Sequence, residues 1–219
     1  MEGDLYLIVS TPNSGATETL SLGLDDKDQE ILFLFPDKIS TDKIHSIDWK
    51  MENGRFKIEK LENQKKQKWF LFFSNILDLA DQIESSLTLL EENSGLNLCR
   101  LISFIDCNLL DVKNFNSWMD GVAHFADAIC FSNRSNENGS SVSQLIERYK
   151  SMRYPLETYI LSTRKEPPIN QILSHTPRRV SHVYDPPELL EGDETPEKDL
   201  YLERLANGNR KKIIPKIFH

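Results

Sequence analysis

The sequence predicts an α/β protein with a mostly parallel sheet of about six or seven strands, helices on both faces and an extended C-terminal tail. Continuous apolar runs recur along the first part of the chain, as is typical of strands buried on both faces. Segments with helical periodicity alternate with these runs, which favours parallel strands joined by crossover helices. Beyond residue 165, prolines and charged residues replace the apolar runs. We therefore predict a domain over residues 1–165 and a Pro-rich tail, acidic and then basic, over residues 166–219.

Six short segments rich in apolar residues are the predicted strands. They are Leu5–Val9, Ile31–Phe35, Trp69–Phe73, Leu101–Ile105, Ala128–Phe131 and Glu157–Leu161. Between the second and third of them, the dipeptide Asn53-Gly54 separates two alternating segments. An Asn-Gly dipeptide in that setting predicts a β-hairpin, because both residues accept a positive φ.

Four segments between these strands predict helices, and one more is predicted in the tail. The most regular is Asp78–Glu92, whose leucines and isoleucine repeat along one face. The others are residues 17–24, Asn114–Phe125, Ser140–Tyr154 and, in the tail, Glu197–Leu205.

Charge and composition restrict the classes of function. The chain has 219 residues and a net charge of −8, which opposes non-specific binding to nucleic acid. It contains no run of about 18 apolar residues, so no membrane span is expected. The acidic start, Met1–Asp4, is unlike a signal peptide. Cys99, Cys107 and Cys130 are odd in number and lie in apolar segments, which predicts buried thiols in a reducing, cytoplasmic compartment.

The turn after the first strand is the first candidate site. Written as the phosphate-loop pattern GxxxxGK(S/T), it would run from Ser10 to Thr17, where only Gly15 and Thr17 match. The alternative is a tight turn in which Thr17 caps the following helix. The candidate nucleotide-binding residues of this turn are Asn13, Ser14, Gly15, Ala16 and Thr17.

Later segments strengthen this interpretation because they match further motifs in the correct order. Together with the turn, they resemble the CobW branch of the CobW/HypB/UreG class of P-loop GTPases. The matching segments are Ser10–Thr17, the Glu52-Asn53-Gly54 triplet, Ser74–Gln82, Leu101–Cys107 and Ala126–Asn136. The resemblance implies a P-loop NTPase-like fold. It also adds Asp106, Asn133, Arg134 and Asn136 to the candidate nucleotide-binding residues.

The residues that would hold phosphate in this family are largely replaced. The lysine that faces the β- and γ-phosphates corresponds to Ala16, so its positive charge is missing. Ser10 and Asn13 stand where the loop would have glycines. Glu18 adds a negative charge at the start of the helix, where it suits the helix dipole but repels phosphate. Asp78 stands where a glycine would contact the γ-phosphate; the alternative is that Asp78 caps the following helix.

The base-recognition and metal motifs are altered as well. Asn133 is retained and Arg134 replaces a lysine, but Asn136 replaces the aspartate. An amide offers one acceptor where guanine requires two, so selectivity for guanine should weaken; the alternative for Asn133–Gly139 is a plain polar loop. Asp106, at a strand end, either serves the nucleotide or only anchors the next loop. The segment of the family's cysteine motif, Arg55–Ile58, contains no thiol.

No metal ligands are predicted, because the histidines show no ligand spacing either. They are His45, His124, His175, His182 and His219.

These losses predict a GTPase-like protein without catalysis, a pseudoenzyme with no catalytic residues and no expected cofactor. It would act as a binding or regulatory partner of another protein, such as an intact GTPase relative. The alternative is weak retention of GTP or ATP with Mg²⁺ and slow hydrolysis, or an accessory role in metal-cofactor trafficking.

Overall fold

The computed structural model describes residues 1–22, 31–36, 46–58, 67–162, 164–190, 193 and 197–218. The strands are β1 (Glu2–Ser10), β2 (Ile31–Pro36), β3 (Ser46–Glu52), β4 (Arg55–Ile58), β5 (Gln67–Phe72), β6 (Gly95–Asp106), β7 (Ala128–Ser132) and β8 (Glu157–Ile160). The α-helices are α1 (Ala16–Leu22), α2 (Leu79–Glu92), α3 (Phe115–Phe125), α4 (Gly139–Ser151) and α5 (Ile169–Ile172). The predicted end of the first helix, at residue 24, lies outside the described residues.

The strands form one sheet in the order β4-β3-β2-β5-β1-β6-β7-β8. Every neighbouring pair is parallel except β3 and β4, which form an antiparallel hairpin. Asn53 and Gly54 at its turn have φ values of 51° and 72°, which is the conformation that favours this dipeptide. The predicted fold class is confirmed. The sheet has eight strands rather than six or seven, because the hairpin adds two.

Apolar side chains on the two faces of the sheet form two separate clusters. Along β1, Leu5, Leu7 and Val9 enter the first cluster, whereas Tyr6 and Ile8 enter the second. Helices α2, α3 and α4 pack on the first face, while α1 and α5 pack on the second. The strands are therefore buried on both sides, which is why their sequences are continuously apolar. No helix among the described residues is long and apolar enough to cross a membrane.

A buried arginine holds the start of the tail against the second face. Arg100 on β6 has no exposed surface. Its Nε and Nη2 donate to the carbonyl oxygen of Thr176, at 3.0 and 2.8 Å. Its Nη1 donates to the Glu157 carboxylate at 2.8 Å and to the carbonyl of Gln171 at 3.1 Å. Burial of a guanidinium costs little only when its donors are hydrogen-bonded, and here Glu157 of β8 and the carbonyl oxygens of the tail accept from them.

A second buried arginine, Arg179, fastens the tail to the start of β7. Its Nη1 donates to the Asp127 carboxylate at 2.8 Å, and both side chains are almost entirely buried. The same carboxylate accepts from the backbone N–H of Leu101, at 2.7 Å, and of Arg178. Burial raises the pKa of Asp127, while Arg179 and these backbone donors oppose the shift. Asp127 therefore connects β6, β7 and the tail.

The last part of the tail lies along α2 and α3. Arg210 donates to the carboxylates of Asp81 and Glu84 on α2. Ile214 is buried against Gly121 of α3, where a Cβ would lie only 2.7 Å from the Ile214 side chain. The predicted helix at Glu197–Leu205 is wrong. A single turn at residues 200–202 leads into a reversal closed by the bridge between Arg204 and Arg210, because Asn207 and Gly208 favour a turn.

Loss of the Arg179 side chain should destabilise the protein strongly. We expect Arg179→Met to lower the free energy of unfolding by about 3–5 kcal/mol, since it leaves the buried Asp127 carboxylate without its cation. The matched control is Arg148→Met, which breaks an exposed ion pair with Asp120 and should cost less than about 1 kcal/mol. Urea denaturation measures both, and equal losses would contradict the account.

Candidate functional site

The loop between β1 and α1 is anchored beneath by the neighbouring strand. Thr11 is buried, and its backbone N–H donates to the carbonyl of Phe104 at 2.9 Å. Its hydroxyl accepts a hydrogen bond from the N–H of Asp106 at 2.8 Å. The Ser14 N–H closes the turn onto the carbonyl of Thr11 at 3.3 Å. The loop thus keeps a defined shape at the carboxyl end of the sheet.

Two residues of this loop have left-handed backbones. Asn13 has a φ of 60° and Gly15 a φ of 68°. Asparagine adopts this conformation more readily than other residues with a Cβ, so it supplies the backbone shape at position 13 without glycine. Such turns can direct backbone N–H groups into a shared concavity, which is how phosphate loops hold anions. The loop therefore shares two left-handed residues with anion-binding turns, while position 16 carries an alanine.

The larger of two cavities beside this loop has a volume of about 810 Å³. It lies at the carboxyl ends of β2 and β5, the position where open α/β sheets bind ligands. The loop and residues 73–77 form two of its sides, and the hairpin strand β3 forms another. Its charged lining residues, within the described ranges, are Glu18, Lys50 and Glu52.

The smaller cavity has a volume of about 590 Å³ and lies on the other side of the loop. Asn133 after β7 and the segment after β8 line it, including Arg164, Lys165 and Glu166. Asn13, Ser14, Gly15 and Glu18 line both cavities, so the two volumes meet at the loop. Each is within the usual size of a small-molecule site, about 300–1,000 Å³.

The structure brings together some of the predicted binding residues. All five candidates from Asn13 to Thr17 line the larger cavity. Asn133 lines the smaller one, and its Nδ2 donates to the carbonyl oxygen of Asn13 at 3.1 Å. The loop after β7 is therefore in direct contact with the loop between β1 and α1.

The other three candidates are not among the residues that line either cavity. Asp106 is buried, and its Oδ1 accepts from the N–H of Asn108 at 3.0 Å, so it anchors the following 3-10 turn. Arg134 lies over Gly139, with its Nη2 3.4 Å from where a Cβ would stand. Asn136 is exposed.

Charge near the loop is unfavourable for phosphate. Ala16, at the lysine position, has 5% of its surface exposed and packs with Leu20. The exposed Glu18 carboxylate lies near Gly15, with Oε2 4.0 Å from where a Cβ on Gly15 would stand. A phosphate bound at this loop would therefore have a carboxylate nearby and no cationic side chain at position 16.

Asp78 has the capping role that the sequence offered as an alternative. It is the N-cap of α2, and its Oδ1 accepts from the N–H of Asp81 at 3.1 Å. Gln82 fixes the preceding segment, because its side chain accepts from the Ser74 N–H at 2.6 Å and donates to the Ser74 carbonyl at 3.0 Å.

The cations at the cleft were missed by motif comparison. Arg164 and Lys165 lie four and five residues after the end of β8, and the rule that ligands bind outside the carboxyl ends of parallel strands could have found them. Lys50 lies on a hairpin strand with no motif to mark it.

Comparison with known proteins identifies the fold. No protein-family model matches the chain, and no curated protein is significantly similar to it in sequence. Among solved structures, a zinc-bound triple mutant of the YjiA GTPase matches with a TM-score of 0.53 and 13% identity, over 80% of this chain and 62% of that one. The zinc-bound YjiA GTPase from E. coli matches with a TM-score of 0.47 and 11% identity, with the same coverage.

The chain therefore has the α/β fold of a P-loop GTPase domain. The resemblance to a CobW-type P-loop domain that the ordered motifs indicated is confirmed in the fold. This chain spans 62% of the length of the solved GTPase that it matches.

The backbone of the loop can be tested at Gly15. We expect Gly15→Ala to lower the free energy of unfolding by about 1–2 kcal/mol, because a Cβ disfavours the left-handed conformation. The cost is conformational, since an added Cβ meets nothing closer than 4.0 Å. The control Asn13→Gly should not destabilise the protein by this amount, and chemical denaturation compares the two. A neutral Gly15→Ala would show that the loop has another conformation.

Proposed function

We propose that this protein is a GTPase-fold binding partner that has lost catalysis. One observation carries the proposal: at the phosphate-type loop a buried alanine, Ala16, stands at the position of the family's lysine, and the nearby charged side chain is the Glu18 carboxylate, 4.0 Å from where a Cβ on Gly15 would stand. Phosphoryl transfer depends almost entirely on positioning and on compensating charge. A loop that keeps its backbone shape but has its charge reversed supports binding of something other than a nucleoside triphosphate.

The loss of the lysine weighs more than the added carboxylate. Glu18 is exposed, so water and salt screen its repulsion of a phosphate. The lysine, by contrast, would provide a direct charge-assisted hydrogen bond to the phosphate oxygens. Ala16 offers no donor on its side chain, and the neighbouring Thr17 supplies only a hydroxyl.

The base side of the cleft gives the same indication. The donor of Asn133 already bonds to the Asn13 carbonyl, so this amide serves the contact between the two loops. Guanine recognition in the aligned family requires a carboxylate at position 136, but an exposed asparagine is present. Among the described residues, the carboxylates that line this cavity are Glu18 and Glu166, and neither aligns with that position.

Exposed apolar side chains at the cleft favour a protein as the partner. Ile76 lines the larger cavity with 59% of its surface exposed, and Leu22 lines the smaller one with 77% exposed. The buried core of a protein interface is more apolar than its rim, and these two side chains would suit such a core. A partner segment that enters the cleft would cover both, and this is the binding role that we propose.

A second candidate function is weak nucleotide binding. The specific observation in its favour is that Arg164 and Lys165 line the smaller cavity, where they could attract phosphate from an unconventional direction. Slow hydrolysis, or an accessory role in metal-cofactor trafficking, would then depend on that residual affinity.

Nucleotide titration distinguishes the two candidates. We expect GTP and ATP, each with Mg²⁺, to bind no more tightly than about 1 mM, or roughly −4 kcal/mol, because the compensating charge is missing. Isothermal titration calorimetry of the folded protein provides the measurement. Micromolar affinity would contradict the proposal and favour the second candidate.

If GTP or ATP binds with micromolar affinity, the double variant Arg164→Ala with Lys165→Ala tests whether these two cations hold the phosphates. If these cations hold the phosphates, affinity should fall in the double variant. A matched variant that removes a distant cation, Arg148→Ala, should leave it unchanged.

A further inference from the structure

Three residues with metal-binding side chains meet at the opposite end of the sheet from the cleft. The ligand atoms of Asp4 on β1, Cys99 on β6 and His175 in the tail all lie within 4.8 Å of one another. His175 Nε2 lies 3.5 Å from the Asp4 carboxylate. The carboxylate is half-buried, the thiol is buried and the imidazole is exposed, so the group opens to solvent on one side.

A β-bulge gives Cys99 its orientation. Leu5 pairs with Leu98 and Tyr6 pairs with Arg100, which leaves Cys99 as the extra residue between them. A bulge can place successive side chains on the same face of a sheet. Here Cys99 packs in the second apolar cluster, and the adjacent Arg100 bonds to the tail that covers the same face.

The tail contacts hold His175 over this bulge. Arg100 binds the carbonyl of Thr176, and the Tyr6 hydroxyl donates to the carbonyl of Leu173 at 3.0 Å. The chain is therefore fixed on both sides of His175. The imidazole also lies edge-on to the Tyr6 ring, with 6.5 Å between the ring centroids.

The types of donor atom in this group indicate which metal it would bind. One thiolate, one imidazole and one carboxylate suit zinc, whose sites combine sulfur, nitrogen and oxygen in a tetrahedron. Three protein ligands leave the fourth position for water, which the exposed side of the group permits. Zinc lies about 2.0–2.3 Å from such donors, so the donors of a tetrahedral site lie roughly 3.5 Å from one another. The three ligand atoms here, which lie within 4.8 Å of one another, would have to approach by about 1 Å. Movement of the exposed imidazole of His175 can provide this approach.

We propose that Asp4, Cys99 and His175 form a zinc site that fastens the C-terminal tail to the sheet. The site is independent of the proposed function, because Asp4 precedes the end of β1 at Ser10 by six residues, or about 20 Å of strand. The aligned cysteine motif does not contribute to it, since that segment lies in the β3–β4 hairpin and contains no thiol. Sequence spacing could not reveal this site, because its ligands come from three distant segments.

The test measures zinc binding to the untagged, full-length protein under reducing conditions. A titration against a chromophoric zinc chelator should show one zinc ion per chain. Affinity should fall by at least about tenfold in Cys99→Ser, in His175→Ala and in Asp4→Asn. The matched controls Cys107→Ser and His182→Ala remove the same chemistry elsewhere and should leave affinity unchanged.

Two further measurements separate a built site from a simple ion pair between His175 and Asp4. Cobalt in place of zinc should give a thiolate-to-metal absorption band that Cys99→Ser abolishes. Zinc should also slow amide hydrogen exchange in residues 171–176. Absence of stoichiometric binding, or binding that none of the three ligand variants weakens, would overturn the proposal. If Cys99→Ser fails to fold, the zinc affinities of Asp4→Asn and His175→Ala test the proposal.

Discussion

The buried ion pair between Asp127 and Arg179 is the interaction on which the arrangement of this protein depends. Asp127 lies where β7 begins, and its carboxylate also accepts hydrogen bonds from the backbones of β6 and the tail. Because an unpaired buried charge is so costly, the tail cannot leave the sheet without depriving the buried Asp127 carboxylate of its cation. Arg100 on the neighbouring strand β6 is also buried, and it bonds to Glu157 and to the tail carbonyl of Thr176. The tail is therefore an integral part of the fold.

This constraint divides the molecule into two ends with different chemistry. At the carboxyl ends of the strands, the loop around Asn13 and Gly15 has two left-handed residues, and Ala16 and the Glu18 carboxylate lie beside them. At the amino ends, the fixed tail brings His175 to Asp4 and Cys99. The proposed protein-binding role concerns the first end and the proposed zinc site concerns the second, so either proposal can fail without the other.

Local features could be predicted from the sequence, whereas long-range contacts could not. Strand β1, the Asn53-Gly54 hairpin and the Asp78 cap follow from short-range pattern and turn chemistry. The sequence placed Asp127 in a base-recognition motif, but its carboxylate instead binds a tail residue 52 positions away. Glu197–Leu205 was expected to be helical, yet contacts with α2 and the turn at Gly208 determine its path. Hydrophobic periodicity reflects local structure only, so it cannot predict partners that are distant in the sequence.

The central claim is that the cleft retains its shape and has lost only its charge complementarity for phosphate. The most direct measurement is the affinity of the double variant Ala16→Lys with Glu18→Gln for GTP and Mg²⁺, compared with that of the unmodified chain. Circular dichroism establishes that both are folded. The account predicts a gain of at least about tenfold, or 1.4 kcal/mol, in the double variant. Tight binding by the unmodified chain, or no gain in a folded double variant, would contradict it.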